Sequence, residues 1–585
     1  MSFDIVASSF QHKEVERSQL DRTVRAGVIG GGTIVLLNVF GLVGQFSERW
    51  IIENTITLAH TVFLLIAVAV GALIAHRSPK LGVAGKVFFG AVSGLVAGAM
   101  LFLLIQIIGN FDIRNMFVAL SPKLLNFLTL GLDPLQGGLI QIAVGTLAGA
   151  VGAIVYVLPR MIRRPLIVAI AAVFFVGLFA ELIQLAMQFE SVTDIREYLF
   201  TWEGQTPTGA ITVFIVVFVA MVIWQIIGGP IGHALGETPK AVQYTVKGVG
   251  ILIALVLFLL FPWAAGSFFG QVLLTVGLFT LMGMGLNLEV GLAGLLDMGF
   301  VAFFASGAYT IALLTADNPY TLHIPIWPFN GQPMNWWEAL PFAMLASLVM
   351  GFLFGIPVLK VRGDYLAVAT LGLGEIIRII VLSDTAEPLL GGSQGLLHIP
   401  SPELFGYQLH DPNVLFYLTL IASLIAAWFA WALENSRLGR AWMAIREDED
   451  VGQALGINLV NVKMLAYGLG AVFAGLAGAI FAVMLGSIFP HSFQLLISIN
   501  ILALIIVGGI GSLPGVVVGS AMLMGTPELL REFGEFRYLV YGFVLILMMR
   551  VKPIGLWPSA ARKRELQTFD EAEAVIKTHA VEQKA

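Results

Sequence analysis

The sequence contains no cysteine and has few charged residues. The absence of cysteine excludes disulfides, thiolate chemistry and cysteine-ligated metal centres. Charged residues make up only 12% of the 585 residues, against 58% that are hydrophobic. Soluble domains carry about 25% charged residues. So few charges cannot cover the surface of so long a chain against water, and we expect much of that surface to face lipid.

The sequence also lacks motifs for catalysis, metal binding and nucleotide binding. Its nine His residues are scattered, and no basic block is typical of nucleic-acid binding. The stretch that most resembles a phosphate-binding loop, Gly82 to Val87, lacks the required spacing and the Ser or Thr that holds magnesium. We therefore expect a chain that is no enzyme and binds no metal, cofactor or nucleic acid. If ATP drives this protein, another chain hydrolyses it.

Long apolar runs dominate the chain. A helix needs about 20 mostly apolar residues to cross a membrane, and Gly, with 64 residues, suits close packing of such helices. The apolar runs lie at 26–46, 55–75, 87–109, 137–158, 165–187, 207–229, 249–263, 268–288, 298–315, 339–359, 365–382, 414–433, 464–484, 493–507, 515–529 and 536–549. The last three are short and Gly-rich, which is typical of broken or re-entrant helices. We predict an all-α transmembrane bundle of about 16 spans.

The chain is expected to divide near residue 235. Residues 1–235 form an N-terminal extension of about six spans, residues 236–555 form a core of about ten, and residues 556–585 form a polar tail. If the spans alternate, most of the 32 Lys and Arg residues fall on one side of the membrane. Positive charge is enriched on the cytoplasmic side, so both termini are predicted to be cytoplasmic.

Two outer loops, 316–338 and 384–412, are rich in Pro, Gly and aromatic residues. They are interpreted either as ordered surfaces on which a soluble partner docks or as simple connectors. A further stretch from Gly283 to Thr310 carries Glu289 and Asp297 among several glycines close to the membrane. It is either a membrane-embedded turn, which must be buried in protein or line a cavity, or an ordinary cytoplasmic loop.

A pair of opposite charges lies inside a predicted span. Glu375 and Arg378 are three residues apart, so they share one face of a helix. A charge at the membrane centre costs roughly 2.5–3.5 kcal/mol on insertion scales, so we expect the two side chains to compensate each other and to point into the bundle. Two interpretations remain open: an element of a transport pathway or gate, and a structural ion pair that fixes the rotation of the helix.

Two more motifs fall in the C-terminal half. Residues 435–463 place apolar residues among charges, as in a short amphipathic helix that docks elsewhere, and Gly456 is expected to end that helix. A helix lying on lipid is the alternative, although its run of acids would be repelled by anionic headgroups. In the second motif Gly511, Gly515 and Gly519 have four-residue spacing, which places them on one helical face as in tight helix packing.

These stretches resemble, in order and spacing, the LivM-type permease subunits of branched-chain amino-acid ABC transporters. The resemblance covers about 265–555 and rests on "GLNLEVGLAGLLDMGFVAFFASGAY", "GDYLAVATLGLGEIIRI", "REDEDVGQALGIN" and "GGIGSLPGVVVG". It implies half of an import pore for leucine, isoleucine and valine in the bacterial inner membrane. It also implies a LivH-type permease partner, two cytoplasmic ATPases that bind ATP and magnesium, and a periplasmic substrate-binding protein.

Within this resemblance, the segment from Arg446 to Asn458 corresponds to the loop that contacts the ATPases. The candidate coupling residues are Arg446, Glu447, Asp448, Glu449, Ala454 and Gly456. Val451 to Ala454 match the alanine-rich centre of other ABC importers only loosely. No residue pattern in the sequence identifies the substrate, so urea or amide permease subunits of the same superfamily remain an alternative. An ion-coupled secondary carrier is a further alternative.

Overall fold

The computed structural model of the protein describes residues 2–79, 81–111, 113–187, 192–237, 240–316, 320, 322, 333–358, 361, 363–531 and 536–559. The fold is an all-α membrane bundle with a few very short strands, which confirms the predicted fold class. The chain divides into two compact units, unit 1 at 1–257 and unit 2 at 258–585. Residues 560–585, most of the predicted polar tail, and most of the predicted outer loop at 316–338 lie outside the described residues.

Unit 1 consists of helices joined by short connections and one small sheet. Its helices are α1 (Ser2–Val39), α2 (Leu42–Phe46), α3 (Leu58–Arg77), α4 (Val83–Asn110), α5 (Pro122–Leu128), α6 (Pro134–Val157), α7 (Arg160–Leu178), α8 (Ala180–Ala186), α9 (Thr193–Leu199) and α10 (Pro207–Glu237). Its strands are β1 (Trp50–Ile52), β2 (Ile56–Thr57), β3 (Phe200–Thr201) and β4 (Gly204–Gln205), in the order β2-β1-β4-β3.

Glycines bring α4 and α6 into backbone contact. A Cβ atom on Gly94 would overlap the carbonyl of Gly145, and one on Gly149 would overlap the carbonyl of Gly90. Gly98 lies similarly close to Gln141. Small residues let membrane helices approach because apolar side chains gain little by leaving lipid. This contact explains part of the high glycine content of the chain.

Unit 2 begins inside α11 (Lys240–Ala265) and holds the remaining elements. They are α12 (Ser267–Leu286), α13 (Val301–Thr315), α14 (Trp336–Val358), α15 (Asp364–Leu382), α16 (Glu387–Leu390), β5 (Glu403–Leu404), β6 (Tyr407–Gln408), α17 (Pro412–Glu434), α18 (Arg437–Glu447), α19 (Glu449–Ala454), α20 (Leu459–Leu485), α21 (Leu495–Gly508), α22 (Leu513–Ser520), α23 (Thr526–Leu529) and α24 (Phe536–Val551). Strands β5 and β6 form an antiparallel hairpin.

Helix α20 lies at the centre of unit 2. Its Gly475 approaches Gly307 of α13, and its Gly478 approaches the carbonyl of Phe304, so that α13 and α20 pack backbone to backbone. The Ser347 side chain of α14 fills the space beside Gly475 and donates a hydrogen bond to the Phe303 carbonyl at 3.0 Å. Small residues along α20 therefore set the positions of its neighbours.

Within the described residues, twelve helices are long and apolar enough to cross a membrane. The predicted count of about 16 stays unconfirmed for a physical reason. The last two apolar runs of the sequence fold as α22, α23 and α24, and the longest of these, α24, has 16 residues. A π-helical turn at Ala521–Gly525 separates α22 from α23.

Candidate functional site

Helix α12 ends in a distorted turn rather than continuing as a regular helix. Its last residues pass into a π-helical turn over Asn287–Leu292, every residue of which is buried. The chain then runs without regular structure from Ala293 to Phe300, and Gly294 adopts a φ of +74°. Non-helical backbone at membrane depth is tolerated only where protein or a cavity surrounds it. The burial favours an embedded turn over an exposed cytoplasmic loop.

Two carboxyl groups are buried beside this turn. Glu289 and Asp297 are fully buried near each other, and neither carboxyl oxygen of Glu289 has a hydrogen-bond partner among the described residues. The backbone N–H of Gly299 donates to Asp297 Oδ1 at 2.6 Å, and Gly470 of α20 leaves space for the Glu289 carboxyl. The sequence placed both acids near the membrane but did not indicate that they meet.

The amphipathic loop folds as two short helices, α18 and α19, and α18 is anchored in unit 2. The side chain of Ser436 caps α18 by accepting hydrogen bonds from the N–H groups of Leu438 and Gly439. Trp442 is fully buried and donates from Nε1 to the Val462 carbonyl at 2.8 Å. No pattern in the sequence indicated this contact, because a tryptophan in an amphipathic helix can equally lie on a surface.

Arg446, near the end of α18, reaches the distorted turn of α12. Its Nη1 donates to the Gly291 carbonyl at 2.6 Å. A Cβ atom on Gly294 would lie 2.6 Å from Arg446 Cγ, so the arginine stem passes over that glycine. The N–H of Gly511 donates to Asn287 Oδ1 at 2.9 Å on the same turn. Three separate sequence motifs thus meet in one place, called here the coupling junction (Asn287, Gly291, Gly294, Arg446 and Gly511).

The acidic residues of the loop serve different purposes in the structure. Asp448 caps α19 by accepting hydrogen bonds from the N–H groups of Asp450 and Val451. Glu449 forms an ion pair with the buried Lys463 Nζ at 2.6 Å. Glu447 is exposed and forms an ion pair with Arg446 at 3.1 Å. Two of the three predicted acidic coupling residues are therefore used to build the loop.

An apolar patch on α19 is left exposed. Val451, Ala454 and Leu455, called here the α19 patch, all lie on the surface of unit 2. Gly456 follows with a φ of +88°, and the N–H of Ile457 bonds back to the Gly452 carbonyl. This left-handed glycine ends the helix as the sequence predicted, because residues with a side chain rarely adopt such a φ. The patch is free to contact another chain.

A cavity of about 570 Å³ opens next to the coupling junction. It lies between α18, the end of α21 and the chain after α24. Its walls include Leu292, Glu434, Met443, Glu447, Ile510 and Pro553. The cavity is mixed in polarity, and its size is sufficient for side chains of another protein.

The predicted ion pair is present on α15. Arg378 Nε donates to the two carboxylate oxygens of Glu375 at 3.0 and 3.1 Å, and Arg378 Nη2 also donates to Oε1. The Glu375 side chain is 38% exposed and the Arg378 side chain is 27% exposed. The pair therefore lies on a surface of unit 2 and does not point into the bundle of this unit, contrary to the expectation from the sequence.

The glycine motif near the C-terminus is used in two ways. Gly515 and Gly519 of α22 approach the backbone of α21 at Gly508 and Leu504. Gly511 does not share their helical face, because α22 begins only at Leu513 and Gly511 has a φ of +74°. The prediction of one continuous face was wrong for Gly511. Its N–H instead donates to Asn287 Oδ1 in the coupling junction. The four-residue spacing alone did not reveal the turn before the helix.

Residues 268–549 match the family described as the branched-chain amino acid transport system permease component. The high-affinity branched-chain amino acid transport system permease protein LivM of Salmonella typhimurium is 36% identical over 314 residues, covering 50% of this chain and 70% of the relative. LivM of Escherichia coli is 35% identical over 347 residues, covering 55% and 78%. The permease protein LivH of Salmonella typhimurium is 32% identical over 177 residues, covering 30% and 55%. No solved structure matches the chain.

The matched region begins with α12 and ends within α24, so it contains the coupling junction, the α19 patch and the Glu375–Arg378 pair. Apolar helices, the buried turn and the exposed α18–α19 loop all lie inside it. On this evidence the chain belongs to the family of branched-chain amino acid transport permeases.

Proposed function

We propose that this chain is the LivM-type permease subunit of an ABC importer that moves leucine, isoleucine and valine across the bacterial inner membrane. The proposal is supported by relatives whose names specify branched-chain amino acid transport. The structural observation that carries it is the hydrogen bond from Arg446 to the Gly291 carbonyl. This bond joins a surface helix to a distorted turn in a membrane-spanning helix.

The joined elements form a path for mechanical force. The sequence has no nucleotide-binding motif, so energy from ATP must arrive through contacts with other chains. The α19 patch supplies the apolar surface for that contact, and the charge of Glu447 sets its register. The ion pair between Glu449 and Lys463 and the buried Trp442 hold the loop against α20. Displacement of α19 by a partner is therefore transmitted to the end of α12.

The assembly that fits this geometry has four kinds of chain. Two cytoplasmic ATPases that bind ATP and magnesium contact the α19 patch. A LivH-type permease pairs with this chain, and a periplasmic binding protein docks on the opposite side, where the β5–β6 hairpin exposes Phe405 and Tyr407. The permease itself performs no chemistry and holds no cofactor, and both of its termini lie in the cytoplasm.

Uptake by a strain that lacks the chain tests this function. The strain is complemented with the gene and supplied with labelled leucine or labelled urea, with and without the partner ATPases. We expect leucine uptake that requires both the chain and the ATPases. Urea uptake without leucine uptake would identify an amide permease instead. Leucine transport by reconstituted vesicles that contain no ATP would indicate an ion-coupled carrier.

A further inference from the structure

The Glu375–Arg378 pair is exposed on unit 2 at a depth where lipid would be expected. Helix α15 has 19 residues, which at about 1.5 Å per residue span about 28 Å, close to the hydrocarbon thickness of a bilayer. Glu375 lies about 16 Å from the start of the helix at Asp364 on the same rise. Charges facing hydrocarbon are costly and rare, and such residues face a cavity or another protein. We therefore expect the pair to face a polar cavity or another chain of the assembly rather than lipid.

The ion pair leaves hydrogen-bonding capacity unused. Arg378 donates to Glu375 through Nε and Nη2, whereas its Nη1 makes no hydrogen bond to any residue that the structure describes. The hydroxyl of Tyr309 on α13 is buried and also has no hydrogen-bond partner among the described residues. Arg378 and Tyr309 line the same small cavity. A buried hydroxyl normally has a hydrogen-bond partner, so we expect a water molecule or a polar group of a ligand to occupy this cavity.

The rest of that cavity is apolar and has small residues on two sides. Its walls are Val301, Ala302, Ala305, Gly374, Ile377, Val381, Pro490 and Phe493. Its volume is about 20 Å³, enough for one water molecule but not for an amino-acid side chain. Only 22% of the α15 span is buried within the structure, against 67% of the α20 span. Few contacts therefore oppose a movement of α15 that widens the cavity.

We propose that Glu375, Arg378 and Tyr309 form the site where the permease binds the zwitterionic head of its amino-acid substrate. Arg378 Nη1 and the Tyr309 hydroxyl donate to the α-carboxylate, and the Glu375 carboxylate accepts from the α-ammonium group. The apolar walls on α13 and α15 receive the branched side chain. This proposal deepens the proposed function and rests on it, since it names the groups by which the same importer reads its substrate.

An amino acid matches this pair in charge as well as in shape. When Glu375 and Arg378 separate to bind the substrate, the α-ammonium and α-carboxylate groups replace the lost partners, so that no charge is left alone. An amine or a carboxylic acid would leave one of the two residues unpaired, which is less favourable than pairing both. Neutral urea would leave both unpaired. The site therefore selects α-amino acids with apolar side chains.

Substitution of Tyr309 by Phe gives the cleanest test. The complete transporter is reconstituted in vesicles with saturating, leucine-loaded binding protein, and uptake rate and melting temperature are both measured. We expect Tyr309→Phe to lower uptake roughly tenfold, the size of a lost hydrogen bond to a charged group. Its melting temperature should stay equal or rise, because the lost hydroxyl has no partner in the unliganded chain. Uptake at the wild-type rate would overturn the role of Tyr309.

A charge swap separates substrate binding from a purely structural ion pair. The double variant Glu375→Arg/Arg378→Glu retains an ion pair at the same positions but reverses its direction. We expect its membrane level to match the wild type, while uptake falls roughly tenfold or more. A structural pair would give wild-type uptake in this variant, which would overturn the proposal.

Arg378→Lys provides a second test in case the charge-swapped chain fails to insert into the membrane. Lysine preserves the pair with Glu375 but lacks the forked guanidinium, so uptake should again fall roughly tenfold. Wild-type uptake by this variant would overturn the proposal. If the unmodified transporter imports leucine while all three variants behave like it, only this inference fails. If the unmodified transporter imports no leucine, the proposed function fails first.

Discussion

Single glycines in unit 2 determine which side chains can be buried. Gly470 is the clearest case, because the Glu289 carboxyl occupies the space where a Cβ atom would otherwise lie. Glu289 in turn sits in the distorted turn that carries Gly291, the acceptor for Arg446. The absence of a side chain at Gly470 therefore leaves the space that the geometry of the coupling junction requires.

We predict that Gly470→Ala destabilises the chain by about 1–3 kcal/mol, because the added methyl group overpacks a well-filled site. The measurement is the melting temperature of the detergent-solubilised protein together with its monodisperse yield. Gly542→Ala provides a matched control, since a Cβ atom at Gly542 meets nothing within 4 Å. Equal melting temperatures for the two variants would show that the Glu289 site tolerates the methyl group.

At the scale of elements, the α18–α19 loop is fixed on its inner side by an ion pair. Lys463 of α20 is almost fully buried and contacts Glu449. We predict that Glu449→Ala destabilises the loop by about 3 kcal/mol, because it leaves a buried ammonium group alone. The double variant Glu449→Ala/Lys463→Met should regain most of that loss. Thermal unfolding in detergent measures both effects, and a double variant less stable than Glu449→Ala would contradict this account.

The outer side of the same loop carries the α19 patch. We predict that Ala454→Arg leaves folding intact, because the side chain is exposed, and weakens ATPase association by about 2 kcal/mol or more, as at interface hot spots. Copurification of the ATPases and leucine uptake are the measurements. Gln453→Arg adds the same charge at an exposed neighbour that is not one of the three apolar patch residues, and it should retain more of both. If the ATPases copurify normally with the Ala454→Arg variant, the α19 patch is not their contact surface.

At the scale of the whole molecule, the absence of native cysteine permits a direct test of topology. Tyr407 of the β5–β6 hairpin and Leu455 of the α19 patch are similarly exposed, at 77% and 76%. Single cysteines at these positions, in a chain expressed without partners, should label from opposite sides of the membrane. We expect a membrane-impermeant reagent to modify position 407 in intact spheroplasts and position 455 only in inverted vesicles. Labelling of both from one side would contradict the orientation.

The division of the chain also makes a prediction. Unit 2 has its own core, and the family match at 268–549 falls entirely within it. A shortened chain that starts at Lys240, the first residue of α11, is therefore expected to insert and to support leucine uptake with its partners. Uptake is compared with that of the full chain at equal membrane levels. Loss of uptake by an inserted short chain would assign the N-terminal extension a part in transport.

Local patterns in the sequence were sufficient for several features. Low charge and long apolar runs indicated a helical membrane bundle, because apolar segments of that length are stable only in lipid. The Glu375–Arg378 pair followed from helical periodicity, since residues three apart share a face. Gly456 was expected to end α19 because glycine tolerates left-handed backbone. Each of these depends on residues close together in the chain.

The sequence by itself thus determined the class of fold, most of the helices and the pairs within one helix. Only the tertiary structure decided which distant segments meet. Arg446 and Gly291 are 155 residues apart, and Gly511 and Asn287 are 224 apart. No periodicity relates residues at such separations, because helix packing in a membrane depends on the close fit of backbones and side chains rather than on apolar pattern. The coupling junction and the cavity beside Arg378 exist for this reason only in the folded chain.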